Sequence, residues 1–437
     1  MALAFGSDEL HPMVDTLLRQ RLPRWRELNR AIDERDDMLD FALGFFEHDR
    51  DMAVTSYFQN GLEQFALVRR IASWRGPVGK FLDFASGYGR LTRFLVHEAF
   101  AADLTVSDIL EGGMEFQAQQ FGVRTVLSTM APGDFNPGDR YDFIFVASLF
   151  THLPPALFQE WLARLVSLLE PDGLLVFSVH DEAIAGGGVE EGISFAAHSE
   201  SRVLDRESYG STWVTESYVK DQISRIGGSL QSVRLPRALG DWQDVYVVSP
   251  VSLKEARPWL VPKGFLDHFV NASEGLRLSG WARSPEGGEA DRIEVRIDDE
   301  PVVVTRDFTV RPDVNEVLGL AADARSAWNC LIPHAAVQSF RYQVLTVSAF
   351  STEGFEKILF LGPVDSIEGA LARQRDRAWD EQVQRRDAVI LELRSRADDL
   401  DRRNTELEAS IAAMRQSRFW RARDLWFGIK GWGRRRE

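Results

Sequence analysis

Several things are scarce in this sequence, and each scarcity narrows what the chain can be. Cys330 is the only cysteine in 437 residues, so neither an intrachain disulfide nor a cysteine-built metal site can form, which suits a reducing cytosol. No apolar run reaches the roughly 18 residues that a membrane-spanning helix needs, so any membrane contact is expected to be peripheral. The opening residues, MALAFGSDEL, lack the basic region and apolar stretch of a signal peptide, and none is expected. Positive charge is also short: 51 Lys and Arg against 66 Asp and Glu leave a net charge of −15. That balance argues against nucleic acid as a partner, because a polyanion is held by a basic surface. The eight histidines show no close-spaced pair with carboxylates, so no metal site is expected.

What is present falls into regions. Residues 1–75 read as a helical entry segment, with Leu17, Leu18, Leu22, Trp25 and Leu28 at mixed three and four spacing and no core of their own. Over residues 76–250 short β-rich runs (FLDFAS, LTVSD, VRTVLS, YDFIFVAS, GLLVFSV) alternate with amphipathic helices. That alternation predicts an α/β fold with a parallel sheet covered by helices on both faces. Residues 260–364 carry LRLSGWA, RIEVRIDDEPVVVTRDF, YQVLTVSAF and KILFLG. Strands at near-regular spacing broken by turn chemistry predict an all-β sandwich. Charged helix occupies residues 366–416, and a basic aromatic tail 417–437.

The most informative run is FLDFASGYGR, Phe81 to Arg90: a buried strand that stops at Asp83 and passes through small residues into a helix. Small residues there let the backbone approach a ligand. A dinucleotide loop needs a third glycine, but Thr92 stands at that position, so no pyrophosphate loop results. The order acid-x-small-x-Gly-x-Gly instead resembles motif I of class I S-adenosylmethionine-dependent methyltransferases. The resemblance continues through LTVSD, YDFIFVASLFTHLP, LLEPDGLLVFSVH and GDWQDVYVVSP, in order. It implies a Rossmann-like seven-stranded methyltransferase sheet and S-adenosyl-L-methionine as cofactor. It also implies a cofactor site built from Asp83, Ala85, Ser86, Gly87, Gly89, Asp108, Ile109, Ser128, Met130, Ala147 and Ser148, with Asp108 accepting hydrogen bonds from the ribose hydroxyls. The sequence departs from the pattern at Ala85, where the first glycine is usual, and at Ser128 to Met130, where an acid often stands.

Methyl transfer from a sulfonium is an in-line displacement that asks for alignment and exclusion of water. For a hydroxyl acceptor a general base helps, and histidine is best matched to neutral pH. His152 and His180 come after the fourth and fifth strands, where open α/β sheets bind ligands; the competing reading is that each is a loop histidine. The glycine-rich stretch from His180 to Lys220 reads either as a lid or substrate platform or as a surface excursion. Within it His198 and Tyr209 resemble an acceptor-side segment. Tyr57, with Gly61, either closes over the cofactor from the amino-terminal helices or packs in the core.

The carboxyl-terminal region carries a heptad seam, with Ile390, Ala397, Asn404 and Ile411 at a and Leu393, Leu400, Leu407 and Met414 at d. This predicts a parallel homodimeric coiled coil in register through Asn404, the alternative being one long helix folded on the sandwich. The tail, with Phe419, Trp420, Trp426, Phe427 and Trp432 among arginines, suits either the inner face of an anionic bilayer or a protein partner such as a glycosyltransferase. The β region, through SGWARSPEG, RIEVRIDDEPV and RPDV, resembles modules attached to bacterial glycosyltransferases, and the architecture resembles methyltransferases of surface-polysaccharide assembly. A glycan or glycolipid acceptor, methylated on a sugar hydroxyl in the cytoplasm, is the expectation. A small-metabolite methyltransferase and a non-catalytic scaffold are the alternatives.

Overall fold

The computed structural model describes residues 12–185, 189, 192–197, 208–253, 259, 261–284, 289–337 and 342–367. The expected coiled coil, apart from its first two residues, the tail and His198 lie outside the described residues.

Three helices lead the chain in: α1 (Pro12–Arg21), α2 (Asp37–Phe45) and α3 (Arg50–Ala72). Asp36 caps α2 by accepting the Met38 N–H, and Asp49 caps α3 by accepting that of Met52, each satisfying an amide that the first turn leaves without an intrahelical partner. Helix α3 buries Val54, Phe58, Phe65, Val68 and Ile71, a stripe at three and four spacing. That stripe joins α1 and one face of the sheet in a single apolar cluster, so the entry helices complete the core of the sheet they precede.

The sheet starts with β1 (Val78–Phe84), β2 (Ala101–Asp108), β3 (Arg124–Leu127), β4 (Tyr141–Val146) and β5 (Leu169–Asp181), parallel in the order β3-β2-β1-β4-β5. Helices α4 (Thr92–His97), α5 (Glu111–Phe121) and α6 (Pro155–Ser167) connect them. Alternate residues go to opposite faces, as the two-residue period of a strand requires. Phe81, Phe143, Phe145 and Val176 face the entry helices, whereas Leu82, Phe84, Ile144, Val146 and Phe177 face α6. From β1 the chain runs outward one way to β2 and β3 and the other way to β4 and β5. The crevice beyond the carboxyl ends of β1 and β4 is therefore the place where such a sheet binds a ligand.

The sheet has nine strands, two more than expected. The hairpin β6 (Ile193–Ala196) and β7 (Ser211–Val214) is added where β7 pairs with the last two residues of β5, His180 and Asp181. The stretch after His180 is thus partly ordered as strand, and α7 (Glu216–Ile226) closes it. It could not be read as strand beforehand because four-residue strands leave too little periodicity. Two further strands, β8 (Gln231–Leu239) and β9 (Gln243–Ser249), finish the sheet, β9 lying antiparallel beside β5. Arg234 on β8 bonds Asp181, Asp244 and Glu216 (2.8, 2.6 and 2.5 Å), tying the end of β5 to β9 and α7.

The next region holds two four-stranded antiparallel sheets. One has β10 (Lys263–Ala272), β11 (Gly275–Arg283), β14 (Phe308–Val310) and β15 (Arg325–Pro333); the other has β12 (Arg292–Ile297), β13 (Glu300–Thr305), β16 (Val344–Phe350) and β17 (Glu356–Pro363). Strands β10, β14 and β15 were not among the runs expected from sequence. Both sheets turn alternate residues into one core around buried Trp328. Arg311 of the RPDV motif bonds Asp267 on β10 and Asp313. This region rests on the first: Arg21 pairs with Glu356 at 2.6 Å, the Gln20 amide donates to the Asp298 carbonyl at 2.5 Å, and Val344 and Leu361 join the entry-helix core. Among the described residues no helix is long and apolar enough to cross a membrane.

Candidate active site

A cavity of about 560 Å³ opens beyond the carboxyl ends of β1, β2 and β4. Its floor is the run after β1. Asp83, the last polar residue of that strand, is buried and accepts the Thr92 hydroxyl at 2.9 Å. Ala85 lies at φ 58°, Gly87 at 56° and Gly89 at 80°, a left-handed path that turns the strand into α4. The path is held from below by α5: the Gln117 amide donates to Ser86 Oγ and the Gly87 carbonyl at 2.8 and 2.9 Å. Gly113 lets that carbonyl approach, since a Cβ there would stand 2.5 Å from it.

Asp108 ends β2 and is the fulcrum of the site. One carboxyl oxygen accepts the Gly87 N–H at 2.8 Å and the other the Leu110 N–H at 2.9 Å. Burial raises its pKa, opposed by these amides and that of Ile109. The amides leave acceptor capacity on the carboxylate, and an ionised carboxylate suits a vicinal diol. Ile109, Ser128, Met130, Ala147 and Ser148 all line the same cavity with Asp83, Ala85, Ser86 and Gly87. Ser128 is placed by its N–H to the Asp108 carbonyl (2.8 Å), and Ser148, at φ 58°, by its N–H to Ser178 Oγ (2.8 Å).

Three expected residues stand elsewhere. Gly89 faces away from the cavity, its Cα hydrogen toward Phe121 and Gln117, so its task is packing against α5. Tyr57 does not close over the cofactor. It is buried in α3, donates its hydroxyl to Asp36 at 2.7 Å and accepts from Arg93 at 3.2 Å, so it positions Asp36 in the cavity wall. His180 is not a cavity residue. Its ring lies 6.3 Å from that of Trp213, and its Nδ1 is buried without a hydrogen-bond partner among the described residues. Burial, reinforced by His152, pushes its pKa down to about 4.

His152 does line the cavity. Its ring stacks on Tyr209 at 4.5 Å, and its Nδ1 lies 2.7 Å from the Gly210 carbonyl. A carbonyl only accepts, so in the neutral ring Nδ1 carries the proton and Nε2 is the basic atom. Backbone bonds from Gly210 to His152 (2.9 Å) and Thr212 to Thr151 (2.7 Å) fix the two segments together. Arg90, at the end of the glycine loop, also lines the cavity, and residues that the sequence did not single out complete the wall: Asp36 and Gln64 from the entry side, and Met38 and Phe41 of α2 at the mouth. Spacing offered no signal for them, since they come from helices remote in sequence from the glycine loop.

The chemistry fits a cationic methyl donor. Among the described lining residues Asp36, Asp37, Asp40, Asp83 and Asp108 face one arginine, Arg90, so this lining favours positive charge. When bound, S-adenosylmethionine supplies an electrophilic methyl on a sulfonium. Asp108 would hold its ribose, while Met38, Phe41 and Leu149 line the cavity around it and His152 lies in the wall. Among the described residues no cluster of His, Cys, Asp and Glu is placed to hold a metal.

Two outcomes are expected from this geometry. A non-glycine residue in the left-handed region costs about 1–2 kcal/mol, partly offset because glycine loses more freedom on folding. Ala85→Gly is therefore expected to raise the melting temperature by about 2 °C without loss of cofactor affinity; a lower melting temperature would show that Ala85 is unstrained. Burial pushes the Asp83 carboxyl up to about 7, against the Thr92 hydrogen bond and with the charge of Asp108. Because the folded pKa lies above the unfolded one, Asp83 contributes stability that is complete below the ordinary carboxylate range and lost as pH rises through about 7. A cation beside it reverses the preference. S-adenosylmethionine affinity should then rise from about pH 6 to about pH 8 with proton release, measurable by calorimetry in buffers of different ionisation heat. Asp83→Asn should flatten that dependence.

Residues 56–220 match the family described as a methyltransferase domain. Comparison with curated proteins gives no match. Among solved structures, the chain is similar to an S-adenosylmethionine-dependent methyltransferase from Clostridium acetobutylicum ATCC 824, with 11% identity over 49% of this chain and 97% of that one and a TM-score of 0.36. It is similar also to the Burkholderia thailandensis 1,6-didemethyltoxoflavin-N1-methyltransferase (20% identity, 48% and 86% covered, TM-score 0.34). A third is the glycopeptide N-methyltransferase MtfA (16% identity, 42% and 89% covered, TM-score 0.33). Residues 56–220 thus carry a methyltransferase domain, with a cavity at its strand ends whose lining suits S-adenosylmethionine.

Proposed function

We propose that this methyltransferase O-methylates a sugar hydroxyl during assembly of a surface polysaccharide or related glycan. The observation that carries the reading is His152, a cavity residue whose Nδ1 is committed to the Gly210 carbonyl and whose Nε2 is the basic atom. A hydroxyl is a poor nucleophile until its proton is taken, and a neutral imidazole at the acceptor side does that near pH 7. The appended β-rich region, read as a sandwich module of the kind attached to glycosyltransferases, supports a glycan or glycolipid acceptor. The test is methyl transfer from labelled donor to extracted glycans and lipid-linked sugars, with the methylated position read by mass spectrometry. Label in a base-stable ether on a sugar ring is expected; label only in small metabolites would overturn the reading.

A second reading is favoured by one observation: the cavity's five carboxylates against one arginine would also attract an amine. An N-methyl amino sugar in the same assay would select it.

The heptads of residues 366–416 and the tail of 417–437 add two proposals, a parallel homodimer and a peripheral site at the inner face of a membrane or on a glycosyltransferase. Truncation after Pro363 is expected to bring the mass in light scattering down to that of one shortened chain; a mass near twice that of the shortened chain would place the dimer contact elsewhere. Vesicle flotation should require the residues beyond Ser417.

A further inference from the structure

A second cavity, of about 310 Å³, opens where α1, α3, the β8–β9 turn and the start of β17 meet. It shares no lining residue with the cofactor cavity, yet two elements serve both. On α3, Glu63 lines this cavity and the adjacent Gln64 lines the other. In the β8–β9 turn, Asp241 lines this cavity, while Gln243 exchanges hydrogen bonds with Ser148 Oγ at the cofactor cavity, at 3.0 and 3.2 Å. Because β9 is antiparallel to β5, with Gln243 opposite His180, the turn stands at the carboxyl end of β5. Open α/β sheets bind their ligands beyond that end of their strands.

The turn is strained where it meets the cavity. The register of β8 on β9 breaks between Leu235 and Leu239, and Arg237 and Asp241 lie at φ 55° and 63°. Irregularities of this kind re-aim side chains, and strained non-glycine backbone gathers at binding sites. Here both re-aimed side chains line the cavity. Its apolar wall includes Trp259 and Phe355, edge to face at 5.5 Å. Its polar groups are pre-set in pairs: Arg21 with Glu356 at 2.6 Å, and Lys357 with Asp241 at 2.7 Å and Glu63 at 3.5 Å.

These features define a ligand class. Four cationic side chains and three carboxylates line the cavity, a near balance that gives little net pull on a phosphate or an amine, in contrast to the acid-lined cofactor cavity. Aromatic rings beside fixed donors and acceptors match the two sides of a sugar, whose C–H face packs on a ring and whose vicinal hydroxyls take planar charged partners. We infer that this cavity is a second subsite for the acceptor, holding a neutral sugar unit remote from the one that is methylated. The inference rests on the glycan reading of the function.

The test uses the full chain and oligosaccharides released by mild acid from the surface polysaccharide of the cells that make it, sorted by length. Ala66→Trp, at an exposed position of α3 that lines the cavity, fills it without disturbing the core. It is expected to raise KM for long acceptors about tenfold and to leave kcat, S-adenosylhomocysteine affinity and KM for the shortest acceptor unchanged. Phe355→Ala should give the same split. If both variants handle long acceptors as the wild type does, the subsite is refuted. If the wild type methylates no saccharide, the glycan reading fails on its own, and the cavity is judged by saturation-transfer NMR with the same oligosaccharides. Signal lost in Ala66→Trp then supports a saccharide site there, and no signal with the wild type ends the proposal.

Discussion

Asp108→Ala is expected to abolish measurable cofactor binding, weakening S-adenosylhomocysteine by at least about 100-fold, or about 3 kcal/mol. Two losses add. The ribose loses its acceptor, and the Gly87 and Leu110 amides, now bonded at 2.8 and 2.9 Å, lose theirs. A buried amide left without a partner costs about 1–3 kcal/mol, so the glycine loop is expected to loosen even without ligand and the melting temperature to fall. Asp108→Asn separates the two effects. It keeps one accepting oxygen but offers an NH₂ to the second amide, and should fall between wild type and alanine. Calorimetry decides: an affinity for Asp108→Ala within about threefold of the wild type would remove Asp108 from the cofactor site.

His152→Ala is expected to lower kcat by about 10²–10³, the usual worth of a positioned general base, with cofactor affinity unchanged. His180→Ala should change kcat by less than about fivefold. His152 follows β4 and His180 lies within the end of β5, not after it as the sequence suggested, and only His152 lines the cavity with its tautomer fixed by the Gly210 carbonyl. His180 is uncharged at neutral pH and packed toward Trp213. The pH profile sharpens the comparison: with S-adenosylmethionine saturating, so that Asp83 no longer enters the rate, the rise of kcat/KM for the acceptor with pH should vanish in His152→Ala and persist in His180→Ala. The reverse pattern would transfer the base to His180. A small effect of both would favour an acceptor that needs no base.

The parts of the site legible in the sequence are those whose chemistry is local. Asp83, Ala85, Ser86, Gly87 and Asp108 lie at the ends of two consecutive parallel strands, and a strand continued by small residues and a helix places them whatever else the chain does. The alternation of β1 to β5 with helices is equally local, because burial on both faces writes near-continuous apolar runs. What depends on distant partners was not legible. Tyr57 could be read as a cofactor cover or as core until Asp36 and Arg93 claimed its hydroxyl.

Gln117, Gly113 and Gln64 reach the site from helices whose periodicity says only that one face is buried, not against what. The choice between His152 and His180 turned on the hairpin β6–β7, whose strands are too short to announce themselves. By itself the sequence determined the strand order's raw material, the cofactor loop and the acid that serves it, since neighbours along the chain fix those. Only the tertiary structure decided which histidine faces the cavity, which entry-helix residues close it, and that the β-rich region shares a second cavity with the methyltransferase. Those depend on packing between segments far apart in sequence, and packing leaves no spacing to read.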